Sequence, residues 1–247
     1  MNNKRNSYKH SKSKAFKVTI IKNGPYLVSG KLPLSKEIIG TDKEGHSVKW
    51  IKGYHYPNKK NYALCRCGQS KNKPYCDGTH IKVAFDGTET ASRKKYIEQS
   101  EKIAGPDLDL TDAQEFCALA RFCHNKAGDV WELTENSSNR KSKKIAIKQA
   151  CDCPAGRLVV WNKKTGKPIE QKFKPSISLV EDPKAKASGP IWLKGNVSLE
   201  SSDGTRYEIR NRVTLCRCGK SKNKPFCDGS HISVGFNDGN KTVNKYI

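Results

Sequence analysis

Long hydrophobic runs are missing from this sequence of 247 residues. Apolar residues make up 35% of it and methionine occurs once. No stretch approaches the roughly 18 consecutive apolar residues that a membrane-spanning helix needs, which argues against a membrane span. The opening residues, MNNKRNSYKHSKSKAFK, lack the apolar segment of a secretory signal, so a cytoplasmic protein is expected. Acidic residues are scarce: 24 Asp and Glu face 47 Lys and Arg, a formal charge of +23. Such a surplus suits nucleic acid or an anionic membrane surface, but also a surface of solvated lysines. No stacking platform or helix-turn-helix pattern accompanies the charge, so nucleic acid is not expected as a partner. Paired carboxylates, a nucleophile elbow and a nucleotide-binding loop are all lacking, and no enzymatic reaction is expected.

Cysteine is what the sequence has in quantity, with ten residues. In a reducing compartment, repeated Cys and His spacing reads as metal binding rather than disulfides. Small modules with little apolar surface also lean on metals for stability. Eight of these ligand-type residues fall in two near-copies. LCRCGQSKNKPYCDGTHI (Leu64 to Ile81) and LCRCGKSKNKPFCDGSHI (Leu215 to Ile232) agree at fifteen of eighteen positions. The repeat extends upstream, where GPYLVSGKLPL (Gly24 to Leu34) matches GPIWLKGNVSL (Gly189 to Leu199) with strand-like alternation. The first copy carries 14 more residues between its Gly-Pro and its first Cys, which predicts a longer loop around Lys36–Asn61.

Each copy offers three thiols and one imidazole: Cys65, Cys67, Cys76 and His80, then Cys216, Cys218, Cys227 and His231. Such a set suits tetrahedral zinc or an iron–sulfur cluster. Zinc modules commonly use a C-x2–4-C knuckle, whereas the C-x-C pair here is tighter and can place two sulfurs on one iron. Pro74 and Pro225 fix the chain before the third Cys. Asp77-Gly78 and Asp228-Gly229 predict a turn with Gly at positive φ. Asp77 and Asp228 are expected to accept backbone N–H bonds around the ligands. Thr79 and Ser230 are expected to cap a short helix bearing the His. Lys71, Lys73, Lys222 and Lys224 read as solvated.

Both loops resemble the CDGSH iron–sulfur family (mitoNEET-like), with C-x-C-x2-(S/T)-x3-P-x-C-D-G-(S/A/T)-H satisfied at every fixed place. Ser70 and Ser221 stand at the S/T position. The resemblance implies a [2Fe–2S] cluster bound by three Cys and one His in each loop, two clusters per chain. It also implies β-cap strands and paired modules, either within one chain as a pseudo-twofold unit or in a homodimer. The function implied is one-electron transfer, cluster transfer or redox and pH sensing. The partner would be a redox donor or acceptor, or an apoprotein receiving a cluster. The alternatives are a zinc-stabilised nucleic-acid-binding protein and a subunit whose partner supplies flavin or substrate.

Between the modules, DLTDAQEFCALARFCHNKAG predicts a helix. Thr111 and Gln114 form a capping-box pattern, and Phe116, Leu119, Ala120 and Cys123 recur at helical spacing. TENSSNRKSKK reads as a loop, and RLVVW with the Gly166 turn as a hairpin. On a helix Cys117 and Cys123 point about 120° apart, too far to share a metal. Cys117, Cys123, Cys151 and Cys153 are therefore expected as structural thiols, although CDCPAGRL resembles the Cys-Pro segment of divergent single-cluster ferredoxin-like domains. Trp131, Trp161 and Trp192 are expected in the β core. The expected fold is a small β-rich α+β protein. Its parts are a disordered basic tail (1–15), a first CDGSH module (16–97), an α/β-hairpin middle domain (107–180) and a second CDGSH module (187–247).

Overall fold

The computed structural model describes residues 16–239. The basic tail and the closing residues of the second repeat lie outside them. The chain runs β1 (Lys17–Ile20), β2 (Tyr26–Ser29), β3 (Leu34–Thr41), β4 (Ser47–His55), β5 (Asn61–Leu64), α1 (Thr79–Lys82), β6 (Glu101–Ala104) and β7 (Leu108–Asp112). It continues with β8 (His124–Asn125), β9 (Gly128–Asp129), α2 (Val130–Glu135), α3 (Arg140–Asp152), β10 (Leu158–Asn162) and β11 (Lys167–Ile169). β12 (Ser176–Asp182), β13 (Ala187–Lys194), β14 (Ser198–Glu200), β15 (Arg212–Leu215) and α4 (Ser230–Ser233) complete it. Strand outweighs helix, as the apolar alternation predicts. No helix among the described residues is long and apolar enough to cross a membrane.

The repeated sequences form two sheets that exchange strands. One sheet has the order β14-β1-β2-β5, the other β15-β13-β12-β3-β4. Tyr26 pairs with Leu64 on β2 and β5, as Ile191 pairs with Leu215 on β13 and β15. Val18 pairs with Val28, as Ile177 pairs with Leu193. The parallel partner crosses over: β14 of the second repeat joins β1 at Val18↔Leu199, and β3 of the first joins β12 at Ile177↔Leu34. Inward side chains of both sheets share one core, in which Tyr26, Ile177, Leu179 and Leu215 are fully buried. The 14 extra residues of the first repeat are not a loop. They extend β3 and add β4 as an edge strand, with Ile38 opposite Ile51 and Ile39 opposite Trp50.

The middle segment forms a third sheet, β11-β10-β7-β6, with α2 and α3 beside it over a core that includes Leu108, Leu110, Ala146 and Leu158. The RLVVW hairpin is present as β10 and β11. The helix expected from Thr111 is reduced to a single 3-10 turn at Gln114–Phe116. Thr111 lies on β7, and its buried hydroxyl accepts from Trp161 Nε1 and lies 2.9 Å from Tyr96 OH, so it caps nothing. Residues 117–123 run as irregular chain, with Leu119 and Arg121 at φ 53° and 62°. The stretch TENSSNRKSKK is largely helical: Asp129 caps α2 by accepting from Glu132 N, and Asn139 caps α3 by accepting from Lys141 and Ser142 N. Of the tryptophans, Trp192 is buried, while Trp131 and Trp161 are partly so.

Candidate metal centres

Each C-x-C pair leaves the end of an edge strand, β5 or β15, and returns to it. In the first module Cys65 N donates to Pro74 O (2.8 Å) and Cys76 N to Ala63 O (3.0 Å). In the second, Cys216 N donates to Pro225 O (2.8 Å) and Cys227 N to Thr214 O (2.9 Å). Ser70 Oγ donates to Tyr75 O and Ser221 Oγ to Phe226 O, and each hydroxyl accepts from the backbone two residues on. These bonds explain why a small hydroxyl stands at that place in both loops. The peptides Lys73-Pro74 and Lys224-Pro225 are cis.

Gly78 and Gly229 sit at φ 84° and 87°, as a turn before a short helix requires. The caps differ from expectation. Thr79 and Ser230 begin α1 and α4 rather than cap them, and the Asp side chains take that part. Asp77 accepts from Thr79 N (3.0 Å) and Lys71 N (2.8 Å), Asp228 from Ser230 N (3.0 Å) and Lys222 N (2.7 Å). One carboxylate thus ties both ends of each loop. Lys73 and Lys224 are not merely solvated: each ammonium donates to a loop carbonyl, Ser70 O or Ser221 O.

The four ligand-type atoms of each loop stand two and two. Cys65 and Cys67 sulfurs are 3.7 Å apart, and Cys76 Sγ lies 3.3 Å from His80 Nδ1. The second loop repeats this at 3.7 Å and 3.4 Å. Around one tetrahedral zinc every ligand pair would lie within about 3.8 Å. Among the described residues, the group of three metal-ligating atoms mutually within 4.8 Å is Asp42, Glu44 and His46 at a hairpin tip, not any three of these. Two pairs set apart suit two metal atoms. Backbone N–H groups of Gln69, Gly78 and Gly229 point at Cys67, Cys76 and Cys227 sulfurs. Burial pushes the Cys67 thiol up to about 11 and raises Cys227 well above its ordinary value. The 3.7 Å contact between Cys216 and Cys218 sulfurs holds Cys216 down to about 6 and raises Cys218. Thiols that resist ionisation alone are ionised by a bound cation, so the donor set fits iron.

The two loops meet back to back. A Cβ on Gly68 would lie 2.6 Å from Cys218 O, and one on Gly219 would lie 2.5 Å from Cys67 O. Tyr26 OH reaches across to donate to Cys216 O at 2.9 Å and Pro225 O at 3.1 Å.

Residues 23–81 and 188–232 match the family described as iron-binding zinc finger, CDGSH type. The chain carries two CDGSH modules. Residues 103–163 match the family described as divergent 4Fe-4S mono-cluster. No curated protein and no solved structure matches the chain. The CDGSH modules and the 4Fe–4S-like segment together support iron–sulfur cluster binding.

Between the CDGSH modules, the irregular path of 117–123 revises the expected separation of the middle thiols. Cys117, Cys123 and Cys153 line one pocket with Arg157. Burial, then the neighbouring Cys153, pushes Cys123 up to about 12. Cys151 turns away, its sulfur 3.5 Å from Ile169 O. Arg212, the first residue of the strand β15 that leads to Cys216, donates to the carbonyls of Ala150, Cys151 and Cys153 and fixes the end of α3. Sequence periodicity missed this grouping; the Cys-Pro segment was the signal for it.

Proposed function

We propose that each CDGSH module holds a [2Fe–2S] cluster, with Cys65, Cys67, Cys76 and His80 as ligands in one and Cys216, Cys218, Cys227 and His231 in the other. The two-and-two division of the ligand atoms carries this reading: one iron takes the C-x-C sulfurs, the other takes Cys and His. Such a cluster takes up and gives back one electron. The protein residues set how readily. An imidazole in place of a thiolate removes a negative charge and eases reduction. The N–H groups aimed at Cys67, Cys76 and Cys227 act in the same direction. Burial of Cys65, Cys67, Cys216, Cys218 and Cys227 keeps water from the sulfurs.

Cys117, Cys123 and Cys153 are the ligands we assign to the 4Fe–4S-like segment, with Cys151 outside the set. The matching registers of the exchanged strands support an internal pseudo-twofold pair, which needs no second chain. The protein is then an electron carrier without a reaction of its own, working with a protein that donates or accepts single electrons. A visible spectrum of protein purified without oxygen, with iron, sulfide and zinc counted on the same sample, tests the reading. Colour with equal iron and sulfide supports it. A colourless protein with zinc and no sulfide overturns it and favours the zinc-stabilised alternative.

A further inference from the structure

The two CDGSH loops are near copies in sequence but not in surroundings. In the second module, the chain around Cys117–Phe122 lies over the loop. A Cβ on Gly229 would meet the Leu119 side chain at 2.5 Å and the Cys117 carbonyl oxygen at 3.5 Å. Asn223 Nδ2 donates to Glu115 O at 2.7 Å, and the Phe116 and Phe226 rings meet edge-on at 5.0 Å. In the first module Gly78, at the equivalent place, has nothing within 4 Å, and Ile81 beside the ligand His80 is 76% exposed. His231 is accordingly 3% exposed, whereas His80 is only partly buried.

The covering segment is held in a conformation that bulky residues adopt only under constraint, with Leu119 and Arg121 both in the left-handed region. The constraint is visible. Arg121 grips Asp182 with two bonds of 2.6 Å and 2.9 Å, and the Asp182 side chain is almost wholly buried. The next residue, Phe122, is buried against Trp50, with ring centroids 4.7 Å apart. The segment is thus pinned immediately beyond the point where Leu119 covers Gly229.

We infer that residues 117–122 form a latch over the second module's site, with Leu119 and Arg121 as its positioning residues. Of two sites with the same ligands, only the first is open to reagents from solution. The inference rests on the reading that both CDGSH sites hold iron.

The test mixes an iron chelator with two holoproteins, Cys76→Ser, which keeps the second site, and Cys227→Ser, which keeps the first. Formation of the iron–chelator complex is followed by absorbance. Cys65→Ser and Cys216→Ser serve in the same roles if either protein fails to fold. Any iron of the middle segment is common to both, so only the difference between them counts. Iron leaves the second site about tenfold more slowly, since the latch must open first. Arg121→Ala, or separately Leu119→Gly, which suits the left-handed backbone, removes most of that difference and leaves the first site's rate unchanged. Equal release from both sites, or latch variants that speed both alike, would overturn the inference while the iron-binding reading stands. Wild-type protein purified without iron or sulfide would overturn that reading instead.

Discussion

Arg217 donates to Asp238 Oδ2 at 2.8 Å from its place between the two cysteines of the second C-x-C pair. Glu181 and Lys36 complete a buried set of two cations and two anions around it. Arg66, at the same place in the first module, forms no ion pair among the described residues. Its Nη2 donates to the Gly87 carbonyl, its Nε and Nη1 make no hydrogen bond, and the guanidinium lies over the Tyr26 and Phe85 rings. Asp86 meets the Arg66 charge only through space, without a bond, and a buried cation so weakly compensated favours the more negative, reduced state of a nearby cluster. The first site is therefore expected to accept an electron before the second. Asp238→Asn should raise the second site's potential, and Arg66→Met should lower the first's, each by tens of mV, where about 59 mV is tenfold for one electron. Redox titration of the Cys76→Ser and Cys227→Ser proteins, followed by EPR, measures both; equal potentials would count against this.

Acid should discriminate between the sites as well. Burial first, and the Arg217 charge second, hold His231 down to about 4 from its ordinary 6.5. Iron needs the neutral imidazole, so a lowered pKa lets the second site hold its ligand to lower pH. Its colour is expected to persist to lower pH than that of the first, whose His80 is only partly buried. In metal-free protein the sign is the same as for any base with a lowered folded pKa. The unfolded chain takes up the proton first, so stability falls as pH drops from 6.5 toward 4. Bleaching of the Cys76→Ser and Cys227→Ser proteins at stepped pH, with melting of the metal-free protein, checks both statements.

One glycine should matter to two sites. Gly68 is at φ 78° and faces the Cys218 carbonyl, so Gly68→Ala strains its own turn and pushes on the other loop. The cost is expected to be about 1–3 kcal/mol. Iron content should fall at both CDGSH sites, and a loss confined to the first would contradict the back-to-back contact. Gly78→Ala, where nothing lies within 4 Å, should disturb the first site alone.

The middle thiols divide three to one. Cys151→Ser is expected to leave the iron content unchanged, whereas Cys117→Ser and Cys153→Ser lower it. Iron analysis of the three variants beside the wild type decides the assignment; a loss with Cys151→Ser equal to the others would refute it.

The CDGSH loops were legible in the sequence because their bonds are local. The serine, the Asp-Gly turn and the prolines act within sixteen residues, and their spacing records the loop directly. The strand exchange leaves no such record, since β1 with β14 and β3 with β12 pair across more than a hundred residues. The middle helix failed for a related reason. Phe116, Leu119, Ala120 and Cys123 recur at helical spacing, but Phe116 is drawn to Phe226 and Phe122 to Trp50, and tertiary packing outweighs the periodicity. Nor could the motif reveal that its two copies differ. His80 and His231 have nearly the same neighbours in sequence, and only the fold, through the latch of residues 117–122 and the Arg217 ion set, tells them apart.

Native mass spectrometry of the Cys117→Ser holoprotein tests the central claim most directly. The account predicts a mass above the bare chain equal to two [2Fe–2S] cores, and one core fewer in the further variant Cys76→Ser. A gain equal to two zinc ions, without sulfide, would contradict it.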